Sequence, residues 1–525
     1  MPSEQNEPQT NSQAGRNEMD PTTESSIARK FGTQTRRAVL GGAATVAAGS
    51  LVGGSTGAQE TSTDETVPVP DVTGPIEGGE VTGEPQTASV PDLSEYGYIE
   101  EEYFISGEAN ALGPPELFAE EWEDPSDESA EYTTRVLVFR PEDTADFNGS
   151  VVVNWPNVSD DHDVPFVWFN VYDYVMREGY AFAIASSQKI GVDDSPIDDD
   201  LKTWDPTRYN ELHHPGDQFS YDMFSQAVQA LRSNPDPDPM GDLDVERTIA
   251  TGISQSGVYL RYYINEVQED HGVVDGFLPT VIPQPSEGRN DIRDDLAPIL
   301  LIDSEDEAMS WLTDETDASP QRADSGQFKL WEVTGTSHVN HWAGEQLNQM
   351  IRRDHLGEEP AWDETRAGQY GQRDDGKYGV CPSVFSDIWP ESVRGSFNYF
   401  PMRYAYNAGL KHLDEWIQGT GEPPSAPRFE REDGELQRDE FGNVLGGLRL
   451  PPVEVPIAFY DGIPCFLRGR TYQLGELTLR KLYPTQEEYV AQMQTATDEA
   501  VEQGYLLPAD AEDLMRRVAD SEVTV

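Results

Sequence analysis

The sequence predicts an α/β protein with a mixed, mostly parallel sheet and helices on both faces of that sheet. Two stretches early in the folded region alternate apolar and polar residues, as antiparallel strands do. After them, short apolar runs of strand length alternate with longer segments of helical pattern. That alternation is typical of a parallel sheet whose crossover connections are helices.

The predicted elements follow one another in a regular order. The two leading strands are predicted at 96–105 and 133–139. A helix over 168–177 ends before Gly179, a residue type that commonly follows a helix C-terminus, and a second helix spans 217–232. The strands of the parallel part are predicted at 151–155, 180–185, 247–251, 277–282, 298–303 and 328–333.

The chain is strongly acidic. Among its 525 residues, 97 are Asp or Glu and 36 are Lys or Arg, which gives a formal net charge of −61 at pH 7. Such a charge argues against nucleic acid and anionic lipid as binding partners. The acidic residues are spread along the chain, which favours a surface adapted to very high salt over an acidic tail or a cation-binding module. At 1 M salt the Debye length is about 3 Å, so the repulsion between these charges is screened.

The first 58 residues are predicted to be a disordered segment followed by a Tat export signal. Residues 1–30 are polar and show no apolar periodicity. Arg36 and Arg37 precede a modestly apolar, Gly- and Ala-rich run at 41–52 and small residues at 53–58, as in a Tat signal. We therefore expect the Tat translocation machinery as a partner and a secreted or extracytoplasmic protein. No other stretch approaches the ~20 apolar residues of a membrane span.

The remainder of the chain is predicted to be a linker at 59–90 and one folded domain at 91–525. The linker is rich in Thr, Pro, Gly and Glu. The domain contains the two cysteines, Cys381 and Cys465. One disulfide and two buried free thiols are both compatible with this pair.

Ser254 is the predicted nucleophile. It lies in the run GISQSG at 252–257, between a predicted strand and a helical stretch, which is the setting of a nucleophile elbow. Such a turn needs small residues two positions on either side of the serine. Gly252 and Ser256 meet this need, although glycine is usual at the second position, and Ser256 is the weaker nucleophile because Val258 would crowd its turn. The alternative interpretation is a serine that only caps the following helix.

An acid and a histidine follow Ser254 in the order expected for a Ser–acid–His triad. Four carboxylates stand at the end of one predicted strand and in the loop after it. Among them Glu305 is the predicted triad acid, and Asp306 is the alternative acid. His338 lies in the loop after the next strand, where the general base is expected, and His341 is the second candidate for the base.

These residue types supply what acyl transfer requires. Serine is a poor nucleophile at its own pKa, so His338 would take its proton while the carboxylate fixes the imidazole tautomer. Two preorganised N–H donors must stabilise the oxyanion. The predicted donors are the backbone N–H groups of Gln255 and Val158, the latter in the loop after strand 151–155. No strong zinc motif and no dinucleotide-binding glycine motif is found, so neither a metal nor a cofactor is expected.

The sequence resembles the α/β-hydrolase-domain family of large secreted proteins. The resemblance covers about residues 95–490, and it rests on segments 155–159, 179–181, 208–217, 252–257, 330–338 and 442–449. It implies an α/β-hydrolase fold and a triad of Ser254, Glu305 and His338. The family pattern has Glu, one residue and then Asp in the acid loop, whereas this chain has Glu305-Asp306-Glu307. With its acidity and its Tat signal, the chain is similar to a haloarchaeal-type member.

Two additions to the fold are expected. A cap insertion at about 189–240 is predicted to cover the site, at least in its first part, 189–216. A C-terminal extension at about 355–525 is predicted because nearly 190 residues follow His338, and we expect it to pack on the catalytic domain.

Together these features predict an exported serine hydrolase that cleaves small-molecule carboxylic esters through an acyl-enzyme. Two other functions stay open at this point. One is a non-catalytic binding protein of the cell envelope with the same fold. The other is an acyltransferase that uses the same triad.

Overall fold

The computed structural model describes residues 67–113, 127–282, 292–308, 322–356, 398–463 and 467–521. The predicted export signal and both cysteines lie outside these residues. In the described part of the chain, one nine-stranded sheet is formed by β1 Asp71–Thr73, β2 Tyr98–Asn110, β3 Ser129–Pro141, β4 Ser150–Trp155, β5 Ala181–Ala185, β6 Arg247–Ile253, β7 Gly276–Thr280, β8 Ile299–Asp303 and β9 Phe328–Glu332. Two further hairpins consist of β10 Arg431–Glu432 with β11 Glu435–Leu436, and of β12 Ala458–Asp461 with β13 Arg470–Gln473.

The strand order of the sheet is β1-β2-β3-β5-β4-β6-β7-β8-β9. The pairs from β1 to β5 are antiparallel. The pairs from β5 through β4 and β6 to β9 are all parallel. This confirms the predicted mixed, mostly parallel sheet. Because parallel strands point the same way, the residues that follow β4, β6, β8 and β9 all lie at one edge of the sheet.

Helices cover both faces of the sheet, as predicted. The α-helices are α1 Phe166–Arg177, α2 Lys189–Val192, α3 Leu201–Trp204, α4 Pro206–Tyr209, α5 Ser220–Arg232, α6 Gln255–Tyr262, α7 Gln268–His271, α8 Glu305–Ala308, α9 His341–Asp354, α10 Arg403–Ile417, α11 Pro451–Glu454, α12 Glu476–Leu482, α13 Gln486–Glu502 and α14 Pro508–Asp520. Short 3-10 turns span Leu93–Tyr96, Thr144–Asp146 and Asp217–Phe219, and a π-helical turn, Tyr263–Val267, joins α6 to α7. Within the described residues, no helix combines the length and apolarity needed to cross a bilayer.

The side chains of alternate residues in the central strands pack into two separate apolar cores. In β4, Val152 packs into one core together with α1, α9 and α10. Its neighbours Val151 and Val153 pack into the other core with α5 and α6. All three valines are completely buried. A parallel strand that is buried on both faces has apolar residues at successive positions. The sequence of β4 shows such a run, and β4 could therefore be predicted.

The predicted linker at 59–90 is wrong from residue 67 onward. Strand β1 pairs with β2, and Gln86 and Thr87 are almost completely buried. The Arg135 guanidinium donates to the Gln86 carbonyl at 2.7 Å, and the Asp354 carboxylate accepts from the Thr87 N–H at 2.9 Å. Hydrogen bonds to the main chain hold this segment on the domain, together with a few scattered apolar side chains such as those of Val67 and Ala88, which are 5% and 7% exposed. Such contacts leave no hydrophobic period in the sequence.

The cap insertion predicted at 189–240 ends earlier in the structure. Its helices α2, α3 and α4 pack against β2, where Arg208 Nε donates to a Glu102 carboxylate oxygen at 2.6 Å. Helix α5 instead forms the crossover between β5 and β6, and its buried residues Ala227 and Leu231 belong to a core of the sheet. The inserted segment is therefore about 189–219, and its covering of the site stays a prediction.

The C-terminal extension supplies part of the central packing. Helix α10 lies on β8, so close that a Cβ at Gly409 would come within 2.7 Å of the Ile302 side chain. The chain beyond α10 also pairs with the end of the sheet, since Val333 and Leu448 form a parallel bridge. The extension thus reaches the loop after β9, which contains His338.

Candidate active site

Ser254 occupies a strained turn between β6 and α6. Its backbone angles are φ 56° and ψ −120°. A positive φ is costly for a residue with a Cβ, and strain of this kind is concentrated at functional sites. A helix-capping serine would have extended backbone angles, and the Ser254 side chain makes no capping hydrogen bond to the described helix α6. The geometry is that of a nucleophile elbow and does not support the capping alternative.

The neighbours of Ser254 explain why the turn tolerates serine at the second small position. A Cβ at Gly252 would lie 2.8 Å from the Ser256 carbonyl oxygen, so only glycine fits on that side. The Ser256 side chain is completely buried. Its Oγ donates to the Ile253 carbonyl at 3.0 Å and accepts from the Ile253 N–H at 3.0 Å. Ser256 therefore closes the turn, and its hydroxyl is engaged in doing so.

His338 follows β9 and lies in the loop where the general base is predicted. It is 5% exposed, and its Nδ1 is hydrogen-bonded to Glu307 Oε1. The other Glu307 oxygen accepts from the Ser304 hydroxyl at 2.5 Å and from the Ser304 N–H at 3.2 Å. Burial opposes ionisation of Glu307, but the attraction of His338 and these hydrogen bonds outweigh it and lower the pKa of the carboxyl. The arrangement is an oriented carboxylate–imidazole pair.

The predicted acid, Glu305, does not contact His338 through its carboxylate. Its two oxygens accept from the Gly335 N–H at 2.7 Å and the Gly462 N–H at 3.0 Å, and Arg438 lies 3.5 Å away. Residues 305–308 form the short helix α8, in which positions two apart point in directions about 200° apart. Glu307 thus faces His338, while Glu305 faces away. The sequence predicts a loop for this segment, and in a loop the directions of the Glu305 and Glu307 side chains are not fixed.

Asp306, the alternative acid, also makes no hydrogen bond to His338 that the structure describes. It is 5% exposed, and its Oδ2 has no hydrogen-bond partner among the described residues. Burial raises the pKa of Asp306 well above its ordinary value, and the negative charge of Glu307 raises it further. Asp306 nevertheless lies close to the pair, because ligand atoms of Asp306, Glu307 and His338 fall within 4.8 Å of one another.

The C-terminal extension holds the histidine loop in place. Asn398 Nδ2 donates to the Gly335 carbonyl at 2.8 Å, and the Val339 N–H donates to the Leu467 carbonyl at 2.7 Å. A Cβ at Gly462 would lie 1.9 Å from the Thr336 carbonyl oxygen, so this contact requires glycine. Sequence reasoning missed these residues, because no local pattern marks a partner more than 60 positions away.

The two residues that carry the predicted oxyanion donors, Val158 and Gln255, are in contact. The Val158 N–H points to the Gln255 side-chain oxygen, which is 3.4 Å away. Asn157 Nδ2 donates to the Ile253 carbonyl at 3.2 Å, which ties the loop after β4 to the elbow. Gln255 is the first residue of α6, and the N–H groups of a first helical turn have no acceptor within the helix. In this structure the glutamine amide oxygen is the acceptor that faces the Val158 N–H.

His341, the second candidate for the base, has a different environment. It begins helix α9, its ring packs on Tyr399 with centroids 4.3 Å apart, and its Nε2 lies 3.4 Å from Glu345 Oε1. His338 differs in that its carboxylate partner, Glu307, is fully buried and is itself fixed by Ser304.

Glu345 gives a pH-dependent stability that can be measured. Burial raises the pKa of Glu345 from 4.5 to about 7. The folded protein therefore keeps this proton to higher pH than the unfolded chain, so the stability that the group contributes is lost as the pH rises from about 4.5 to about 7. We expect Glu345→Gln to gain about 1–2 kcal/mol relative to the wild type between pH 5 and pH 8, allowing for the partial exposure of the side chain.

Denaturant unfolding of both proteins at the two pH values, in the same molar KCl, measures this gain. Glu422→Gln is a matched control, because the Glu422 side chain is 65% exposed. A stability difference between Glu345→Gln and the wild type that does not change with pH would contradict the expectation.

The family of the chain follows from its similarity to known proteins. A family model described as an alpha/beta hydrolase domain matches residues 72–516. The chain belongs to this family. The match confirms the predicted fold and begins at β1, within the segment predicted as a linker. A search of curated proteins finds no match.

Several solved structures are similar to parts of this α/β hydrolase. An alpha-beta serine hydrolase homologue from Coxiella burnetii is 11% identical, with a TM-score of 0.26, over 43% of this chain and 93% of that one. A serine hydrolase without a lid from Xanthomonas campestris is 13% identical, with a TM-score of 0.26, over 47% and 94%. A carboxylesterase from Lactobacillus plantarum is 11% identical, with a TM-score of 0.23, over 33% and 68%.

Proposed function

We propose that this α/β hydrolase is a serine hydrolase that cleaves carboxylic esters through an acyl-enzyme. The observation that supports this most strongly is a strained Ser254 after β6 together with a buried His338–Glu307 pair. The pair follows β8 and β9, parallel strands whose carboxyl ends lie at the same edge of the sheet as that of β6. A strained serine alone or a buried ion pair alone would be ordinary. Their common location is what acyl transfer requires.

In the acylation step, Ser254 Oγ attacks the ester carbonyl carbon and His338 Nε2 takes the hydroxyl proton. The carbonyl oxygen becomes an oxyanion. When the intermediate collapses, the C–O bond to the alcohol breaks, and His338 gives its proton to the leaving oxygen. Water then attacks the carbonyl carbon of the acyl-enzyme while His338 takes a proton from it. The bond to Ser254 Oγ breaks, and His338 gives the proton to that oxygen, which releases the acid and restores the Ser254 hydroxyl.

Glu307 holds the imidazole for both steps. Its contact with Nδ1 leaves Nε2 to accept the serine proton, and its charge stabilises the imidazolium that forms. The Ser304 hydroxyl and N–H fix the carboxylate in turn. The oxyanion would be held by the N–H groups of Gln255 and Val158. For Val158 this requires the substrate oxygen to displace the Gln255 amide oxygen from its 3.4 Å contact.

Turnover of p-nitrophenyl esters in several molar KCl tests the proposal. The wild type should hydrolyse a series from acetate to laurate, and the matching p-nitroanilides should react far more slowly, because the nitrogen of p-nitroaniline leaves less readily than p-nitrophenoxide. Product analysis with and without added alcohols distinguishes hydrolysis from acyl transfer to an acceptor other than water. No turnover of any ester above the buffer rate would contradict the proposal and favour a binding protein.

Export by the Tat pathway is part of the proposal. It rests on Arg36 and Arg37 ahead of the apolar run at 41–52. Replacing both arginines by lysine should leave the uncut precursor in the cytoplasm of an expressing cell, whereas the wild type should appear outside it in a shortened form. Equal export of the two proteins, measured by immunoblot of cell fractions, would rule out this route.

Function at high salt is the last part of the proposal. The charge of −61 is expected to make the folded protein depend on screening. Ester turnover should therefore be higher in molar KCl than in dilute buffer.

A further inference from the structure

Asp306 is a buried acidic group that the proposed mechanism does not use. It is 5% exposed, and its Oδ2 is without a hydrogen-bond partner among the described residues. A carboxyl that is buried without such a partner costs stability. Asp461 and Glu305 are close enough to add negative charge at Asp306. A cation bound to this carboxylate would supply the partner that Oδ2 lacks.

The neighbours of Asp306 provide the other ligands of a cation site. One ligand atom each from Asp306, Glu307 and His338 lie within 4.8 Å of one another. Imidazole nitrogen and carboxylate oxygen are both ligands of Zn²⁺, at about 2.0–2.2 Å. Two ligands of a tetrahedral ion at that distance are about 3.4 Å apart. Side-chain shifts of about 1 Å would therefore bring the three atoms around one ion.

We infer that Asp306, Glu307 and His338 form an inhibitory site for a divalent transition-metal ion, with Zn²⁺ as its occupant. Ca²⁺ and Mg²⁺ fit poorly, because they take six or more oxygen ligands and this cluster supplies three ligands, one of them nitrogen. The ion would separate His338 from Glu307 and hold both as ligands, with water in the fourth position. Binding of the ion is independent of the proposed function, whereas inhibition rests on it.

Direct binding to an untagged Ser254→Ala protein tests the site without any need for turnover. Equilibrium dialysis against ZnCl₂ in molar KCl keeps weak binding to the many surface carboxylates low. Adding Asp306→Asn should weaken the tightest Zn²⁺ site at least about tenfold. Adding Glu422→Gln, which changes an exposed carboxylate, should leave that site unchanged. Equal Zn²⁺ affinity with and without Asp306→Asn would overturn the inference.

A second variant guards against misfolding. His338→Asn removes the nitrogen ligand, and it should weaken Zn²⁺ binding as Asp306→Asn does, with circular dichroism and the melting temperature reporting the fold of each. Zn²⁺ that binds as tightly to His338→Asn as to its parent also overturns the inference.

Inhibition is measured on the wild type with a p-nitrophenyl ester. Zn²⁺ should abolish turnover and a chelator should restore it. Binding of Zn²⁺ at the cluster without inhibition would overturn the inhibitory role. An absence of ester turnover even without added Zn²⁺ would contradict the proposed function, and the binding result would still stand.

Discussion

Ser254→Ala is expected to lower kcat/KM for p-nitrophenyl esters by about 10⁴-fold or more. The loss is large because His338 and Glu307 can act only through a nucleophile at this position. Alanine removes the hydroxyl and keeps the Cβ, so the strained turn does not have to accommodate a larger side chain. The fold should therefore survive, and the melting temperature in molar KCl should stay close to that of the wild type.

Ser256→Ala is the matched control for this substitution. It changes a hydroxyl two residues away that bonds to the Ile253 backbone. We expect a loss of stability of about 1 kcal/mol from these hydrogen bonds, with a much smaller loss of turnover. A Ser256→Ala protein as inactive as Ser254→Ala, with its fold intact, would mean that the nucleophile has been misidentified.

Glu307→Gln is expected to lower kcat by about 10⁴-fold. The amide cannot stabilise the imidazolium, and it can present an N–H group to Nδ1, which favours the wrong tautomer of His338. The hydrogen bond that the Ser304 hydroxyl donates to Glu307 also depends in part on the negative charge of the carboxylate. KM should change little, because the substitution affects a group that does not touch the substrate.

Glu305→Gln provides a closely matched comparison, because it makes the same chemical change in a buried residue two positions away. Its amide would face the N–H of Gly335 or of Gly462, so we expect a stability loss of about 1–3 kcal/mol. The loss of kcat should stay near tenfold or below, since the His338–Glu307 contact remains. A larger loss of kcat in Glu305→Gln than in Glu307→Gln would identify Glu305 as the triad acid.

The sheet and the turn at Ser254 could be predicted from the sequence because their signals are local. β4 is a continuous apolar run, and its two buried faces require one. Gly252 and Ser256 flank Ser254 at fixed spacing, and the backbone of the turn demands small residues there. His338 follows a strand at the edge where a base is needed. Each of these inferences uses only neighbouring positions in the chain.

The sequence could not show which of the acidic residues contacts His338, because that depends on three-dimensional direction. Glu305, Asp306 and Glu307 are equivalent as residue types, and a single helical turn decides which of them faces His338. The spacing in the family pattern offered one usable signal, since its second acidic position corresponds to Glu307 in this chain. Glu305 instead holds the loop that carries His338.

The remaining differences come from contacts between distant parts of the chain. The Gly462 N–H meets Glu305 across 157 positions, and the Thr87 N–H meets Asp354 across 267. Main-chain hydrogen bonds of this kind require no particular side chain at one end. A segment such as 67–90 therefore resembles a linker in composition while it is packed like part of the domain.

Labelling with a fluorophosphonate tests the central claim, that Ser254 is a nucleophile activated by His338 and Glu307, most directly. In molar KCl, Ser254 Oγ should displace fluoride from phosphorus and leave one adduct on the peptide that contains Ser254, as read by mass spectrometry. Ser254→Ala should carry no adduct, and Glu307→Gln should label far more slowly than Glu305→Gln. An adduct on Ser256 or elsewhere, or labelling that persists in Ser254→Ala, would contradict the claim.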